Sequence, residues 1–161
     1  MKEASAMRLR ILVPVDVEEP RCWNYVLDPL RQHAAGNDVE LTVATVVPEL
    51  GTVIAQAAQA APFTTASPAQ LEKHALEVAK ERLDRLIDGV GNEFGEISRV
   101  IRSGSVYSEI LATAKEMSAD LIILMSHVPD LGDYLLGPNA AKIVRHAKCS
   151  VFVVRNGQNS K

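Results

Sequence analysis

Five short apolar runs divide this chain at regular intervals. They are Arg10 to Asp16 (RILVPVD), Val39 to Val47 (VELTVATVV), Ile97 to Arg102 (ISRVIR), Asp120 to Met125 (DLIILM) and Ser150 to Arg155 (SVFVVR). The first and fourth are almost continuously apolar, as strands buried on both faces of a parallel sheet are. Between them lie stretches with helical spacing. Cys22, Val26, Leu27 and Leu30 recur at that spacing after Pro20, which suits the first turn of a helix. Gly36-Asn37-Asp38 stops that helix. Ser67 reads as an N-cap with Pro68 at the first helical position. Leu71, Ala75, Val78, Leu83, Leu86 and Val90 then mark one apolar face, with Gly91 just beyond its end. The opposite face carries Glu72, Lys73, Glu77, Lys80, Glu81, Arg82, Asp84 and Arg85, and reads as solvated. Ile110, Ala114 and Met117 mark a third helix after the turn at Gly104-Ser105, and residues Asn139 to His146 form a fourth.

Strand and helix therefore alternate from end to end. That order predicts an α/β fold, an open parallel five-stranded sheet with helices on both faces and right-handed crossovers. The 161 residues suit a single domain, with its core between about residues 8 and 155. Residues 48 to 68, rich in small residues and interrupted by Gly51, Pro62 and Pro68, read as a long mobile excursion with a helical turn around Ile54 to Ala60. Residues 156 to 161 read as a frayed tail.

Composition excludes several functions. Net charge is −3 with acidic and basic residues interspersed, so there is no electrostatic footprint for nucleic acid. No apolar run approaches the roughly 18 residues of a membrane span. Residues Met1 to Met7 lack the apolar core of a signal peptide, which makes the cytoplasm the expected compartment. Cys22 and Cys149 stand in no metal or redox spacing and read as free thiols. His33, His74 and His146 are scattered over helices, so no built-in metal site is expected.

In such sheets ligands bind beyond the carboxyl ends of the strands, where strand order reverses. That crevice would collect Asp16, Val46 to Pro48, Gly104 and residues 125 to 138. Asp16, at a strand tip, reads either as an acceptor for a ribose, a base or a metal, or as a helix cap or turn residue. Ser126-His127 resembles a nucleophile pair only superficially. Adjacent residues of an extended chain point to opposite sides, and no Gly-x-Ser-x-Gly elbow is present. The loop from 125 to 139 carries the strongest signal, because it opens a helix and free helix N-termini attract anions. Gly137 allows close backbone approach, whereas Pro138 removes one N–H donor and offers no hydroxyl. Asn139 partly compensates with its own N–H and amide. No residue is assigned a catalytic role.

The chain resembles the universal stress proteins over nearly its whole length. The resemblance rests on Ile11 to Asp16, on Thr45-Val46-Val47-Pro48-Glu49, on Gly104-Ser105, on Asp120 to His127, and above all on the ending Val144 to Arg155. It implies an adenine nucleotide alpha-hydrolase-like sheet with strand order 3-2-1-4-5. It also implies a stress-response protein that binds ATP or another adenine nucleotide, with magnesium accompanying the phosphates, and with at most slow ATPase activity. The family's ATP pattern, Gly-x2-Gly-x9-Gly-Ser/Thr, is not kept. Met125 and Val128 stand at its leading glycines, residues 129 to 136 make the spacer one shorter, and Pro138 replaces the Ser/Thr. A branch of the family with Ser-His-Arg-Pro-Asp and Asp-Tyr-Leu-Leu-Gly-Ser-Asn-Ala-Ala is similar to this chain, which has Val128 for the Arg and Pro138 for the Ser. Carried over by position, adenine and ribose would lie near Pro14, Val15, Asp16 and Val46, with Gly104 and Met125 close by. Phosphates would lie over Ser126, His127, Gly137, Pro138 and Asn139.

The resemblance further implies a homodimer through the last strand, Ser150, Val151, Phe152, Val153, Val154 and Arg155, and an apolar edge strand is normally paired or covered. The alternative is a nucleotide-free dimeric signalling or interaction module that meets an unknown protein partner through residues 48 to 68. A receiver-like domain is disfavoured by the absence of a second acid beside Asp16, and a flavoprotein by an aromatic content of 4%.

Overall fold

The computed structural model describes residues 8–49, 67–126 and 136–155. Among the described residues, nine elements alternate: β1 (Leu9–Pro14), α1 (Arg21–Ala34), β2 (Val39–Pro48), α2 (Pro68–Asp88), β3 (Ile97–Gly104), α3 (Val106–Glu116), β4 (Leu121–Ser126), α4 (Pro138–His146) and β5 (Ser150–Arg155). All strand pairings are parallel and the order is β3-β2-β1-β4-β5, as the resemblance implied. The chain winds outward from β1 through β2 to β3, then crosses back to β4 and β5 on the other side. The gap between the tips of β1 and β4 is thus the switch point at which such sheets open a crevice.

The period-2 geometry of the strands divides the core in two. Ile11 and Val13 of β1, with Ile123 of β4, pack against Trp23, Val26, Leu27 and Leu30 of α1 and Leu83 and Ile87 of α2. Leu12 of β1, with Ile122 and Leu124 of β4, packs against Ile110 and Ala114 of α3 and Ala140 and Ile143 of α4. Ile11, Leu12 and Val13 are all completely buried, because β1 has a strand on either side and helices on both faces. This is why that run is apolar without alternation.

Element ends depart from the sequence reading where turn chemistry takes over. β1 stops at Pro14 rather than Asp16. Val15 still donates to the Ala44 carbonyl, but the Asp16 side chain accepts from the Glu18 N–H at 2.9 Å and its carbonyl from the Glu19 N–H at 3.1 Å. Those bonds turn the chain toward α1. Pro20 is the residue before the helix, not part of its first turn. Ser67 and Gln70 form a reciprocal capping box that starts α2. Pro48 belongs to β2, and Ser67 and Pro68 to the start of α2, so the long excursion is shorter than read. The rest of it, including the helical turn expected around Ile54 to Ala60, lies outside the described residues, as does the tail at 156 to 161.

The face of α2 also differs from the reading. Its buried seam is Ala79, Leu83 and Ile87, while Ala75 and Val78 turn toward the strand tips. The charged side is not uniformly solvated. Asp84 is bound by Lys80 and by Arg99 of β3, and Arg82 is only partly exposed. At the opposite end of the sheet, Asp120 accepts from the Arg10 backbone N–H, Nε and a terminal nitrogen at 2.9, 3.0 and 3.1 Å. That clamp joins β1 to the start of β4. No helix among the described residues is long and apolar enough to cross a membrane.

Candidate functional site

A crevice of about 680 Å³ opens above the carboxyl ends of the strands. That volume lies within the range of small-molecule and cofactor sites. Its floor is the tips of β1 and β4, with Pro14, Val15 and Asp16 on one and Leu124 and Met125 on the other. Thr45, Val46, Val47 and Pro48 of β2 form one side. Gly137, Pro138, Asn139, Ala140 and Ile143 at the start of α4 form another. The parallel sheet sets this convergence. Every strand ends at the same edge, so the segments that follow them meet there.

Most of the residues singled out by sequence thus share one surface. Pro14, Val15, Asp16, Val46, Met125, Gly137, Pro138 and Asn139 all line it. Two do not reach it. Gly104 pairs in register with Pro48 and faces the Glu109 side chain, while Val106, two residues on, lines the crevice instead. Gly104 has φ of +144°, a conformation that L side chains rarely adopt, and a Cβ there would sit 3.1 Å from Glu109 Oε1. Ser126 turns its hydroxyl to the loop, where Oγ accepts from the Gly137 N–H at 3.4 Å. His127 and Val128 lie outside the described residues.

The electrostatics follow from the turns. The Asp16 side chain is oriented by the Glu18 N–H it accepts. The start of α4 offers fewer donors than a typical helix. Pro138 has no N–H, and the Gly137 N–H is engaged by Ser126. The first intrahelical bond is Ala141 N–H to the Gly137 carbonyl, 2.9 Å, which leaves Asn139 and Ala140 to present their N–H groups. Further along α4, the Lys142 ammonium lies 4.4 Å from the centre of the Tyr107 ring of α3. The two helices flanking the crevice are tied by that cation–π contact.

A smaller hollow of about 90 Å³ lies on the α1 side of the same strand tips, bounded by Asp16, Glu19, Cys22, Trp23, Val26 and Met125. Burial, reinforced by the Glu19 and Asp16 charges, pushes the Cys22 thiol up from its ordinary pKa. Burial likewise raises that of Cys149. A thiolate is the nucleophilic form, so neither cysteine is activated. No group of three His, Cys, Asp or Glu side chains able to hold a metal occurs among the described residues.

The sequence reading missed a whole wall of the crevice. His74, Ala75, Val78, Ala79 and Arg82 of α2 line it, together with Val17 and Glu18 of the turn after β1. The signal was present in the spacing. Ala75, Val78 or Ala79, Arg82 and Leu86 follow one another at three- and four-residue steps, so an arginine stands on the apolar side of the helix.

The sequence model of the universal stress protein family matches residues 7–155. Universal stress protein G of Shigella flexneri is 35% identical over 86 residues, 53% of this chain and 61% of that protein. The chain thus spans less than two thirds of the curated relatives it matches at this level. A crystal structure of a universal stress protein in complex with cAMP superposes with a TM-score of 0.55 at 19% identity, covering 92% of this chain and 97% of that one. A universal stress protein from Archaeoglobus fulgidus in complex with dAMP gives a TM-score of 0.51, also at 19% identity, covering 92% and 98%.

Proposed function

The chain belongs to the universal stress protein family, and from that premise we propose that its crevice binds an adenine nucleotide, ATP or AMP, in a cytoplasmic stress response. The observation that carries this reading is the convergence of Pro14–Asp16, Val46, Met125 and the start of α4 on a single crevice at the β1/β4 switch point. Structures of universal stress proteins in complex with cAMP and with dAMP support it.

The residues divide the work by chemistry. Val15, Val46 and Met125 offer apolar contact to a base. The Asp16 carboxylate offers acceptors to ribose hydroxyls or to an exocyclic amine. The Asn139 and Ala140 N–H groups, at the positive end of the α4 dipole, offer donors to phosphate. Magnesium would enter with the phosphates of ATP. The reading is one of binding, with at most slow hydrolysis.

The same reading includes a homodimer through β5. That strand is the sheet edge, and Phe152 on it is 38% exposed, packed edge-on against His33 with ring centres 5.0 Å apart. An apolar edge that stays monomeric invites aggregation, and pairing with a second copy removes the hazard.

The test is calorimetric titration of the purified protein with adenosine, AMP and ATP, after denaturation has established whether nucleotide co-purifies. Saturable binding of any of the three supports the reading. Absence of binding by all three, with no co-purified nucleotide, refutes it and favours a nucleotide-free interaction module.

A further inference from the structure

The crevice holds an ion pair whose cation has no evident structural use. Among the described residues that line it, the ionisable ones are Asp16, Glu18, His74 and Arg82. Arg82 is the one fixed positive charge in that set. A phosphate-bearing ligand would enter a mouth that already carries two carboxylates, and α4 answers with only the donors that Pro138 leaves. Among the described lining residues, a fixed countercharge can come only from Arg82.

We infer that Arg82 of α2 binds the phosphate groups of the crevice ligand, and that Glu18 is the resident anion it gives up to do so. The inference rests on the nucleotide reading of the crevice. Arg82 is held by the Glu18 carboxylate, with side chains 39% and 71% exposed. An ion pair this open to water adds little to stability, so its exchange for another anion is cheap. The planar guanidinium can then take two phosphate oxygens side by side, a stronger arrangement than the exposed carboxylate pair it replaces.

The other cations of α2 and its surroundings are differently placed. Lys80 is bound to Asp84, Arg85 to Glu81, and Arg99 of β3 to Asp84 and Asp88, and neither these three nor Lys73 lines the crevice. Arg82 lines it with a fixed backbone. The next residue, Leu83, is completely buried in the core, and the helix is started firmly by the Ser67–Gln70 capping box. His74 and Val78 precede Arg82 at four-residue steps and line the same crevice. Arg82 thus stands at the end of a continuous row along the wall.

The experiment compares wild type, Arg82→Gln, Arg82→Lys and Glu18→Gln by calorimetry, with adenosine, ATP and inorganic tripolyphosphate as probes. Arg82→Gln should weaken ATP and tripolyphosphate by about tenfold or more, leaving adenosine unchanged. Arg82→Lys, which keeps the charge without the fork, should fall between. Glu18→Gln should tighten ATP by a few-fold, because the resident competitor is gone. If tripolyphosphate binding depends on Arg82 while adenosine fails to bind, the inference stands and the adenosine part of the nucleotide reading falls. Should Arg82→Gln bind ATP and tripolyphosphate as wild type does, or should wild type bind neither, the inference is overturned. Glu18→Gln decides independently if Arg82→Gln does not fold: unchanged ATP affinity there overturns it as well.

Discussion

Replacement of Pro138 by serine tests how much of the phosphate site the α4 start retains. The residue sits at the first helical position, after Gly137 at φ −57° and ψ 155°. Serine fits that position, so the helix should keep its bounds. What changes is the set of donors. Only the Asn139 and Ala140 N–H groups precede the first intrahelical bond, Ala141 to Gly137, without a partner among the described residues. Pro138→Ser adds a backbone N–H and a hydroxyl at the place where the helix dipole is most positive. A hydrogen bond to a charged group contributes roughly 1.5–3 kcal/mol. That is about a ten- to hundredfold gain in affinity if one such bond reaches a phosphate oxygen. Adenosine carries no phosphate and should bind both proteins equally. The assay is calorimetric titration of both proteins with adenosine, AMP and ATP at matched magnesium. A gain with AMP places the α-phosphate at the helix start, and a gain with ATP alone places a more distal one there. Equal ATP affinity in the two proteins refutes the reasoning, since the missing donor would then be irrelevant to the ligand.

Three further perturbations test the frame that holds the crevice. Ile123→Ala empties a fully buried position between α1 and the sheet, and should lower unfolding free energy by about 2–5 kcal/mol, read as a drop in urea midpoint at unchanged slope. Gly104→Ala forces an L residue to φ +144° and should cost about 1–3 kcal/mol; because the Glu109 side chain can swing aside, adding Glu109→Ala should not restore the melting temperature. Asp120→Asn tests the clamp at the base of the sheet. The Arg10 side chain, then its backbone N–H, hold the Asp120 carboxyl below the usual carboxylate range. A group depressed on folding contributes stability above its unfolded value near pH 4 and loses it as pH falls through the lower folded value. Urea midpoints should therefore differ between wild type and Asp120→Asn at pH 7 and converge toward pH 3, whereas a constant difference would exclude the carboxylate charge as the cause.

The parallel sheet was legible because burial on both faces leaves a local mark. Ile11, Leu12 and Val13 cannot alternate polar with apolar when helices cover both sides, and Leu121 to Leu124 carry the same signature. Strand ends were less legible, since they depend on bonds made after the strand. The Asp16–Glu18 turn ends β1 two residues early, and the sequence offered a turn at Asp16 only as one of two readings. The strand-tip half of the site was legible by the same logic as the sheet: where strands end is where the following segments meet.

The α2 wall left a trace only in the spacing of its residues, and the reason is angular. From Lys80 to Arg85 the sequence gives Lys, Glu, Arg, Leu, Asp, Arg, a run that reads as a wet surface. At about 100° per residue, those side chains in fact spread around most of the helix. Leu83 goes to the core, Asp84 to Arg99 on β3, Arg85 to Glu81 along the outside, and Arg82 to the crevice. Only the packing of α2 on β2 and β3 fixes which charge faces the strand tips. That packing also joins the two halves of the functional picture. The strand-tip segments face the α4 start, where Pro138 leaves one donor fewer. The cation opposite them comes from a helix whose composition suggests nothing but solvent. If Pro138→Ser gains affinity and Arg82→Gln loses it for the same ligand, the chain moved its phosphate contact from backbone to side chain. If only Arg82→Gln has an effect, the α4 start no longer takes part, and the crevice reads phosphate from α2 alone.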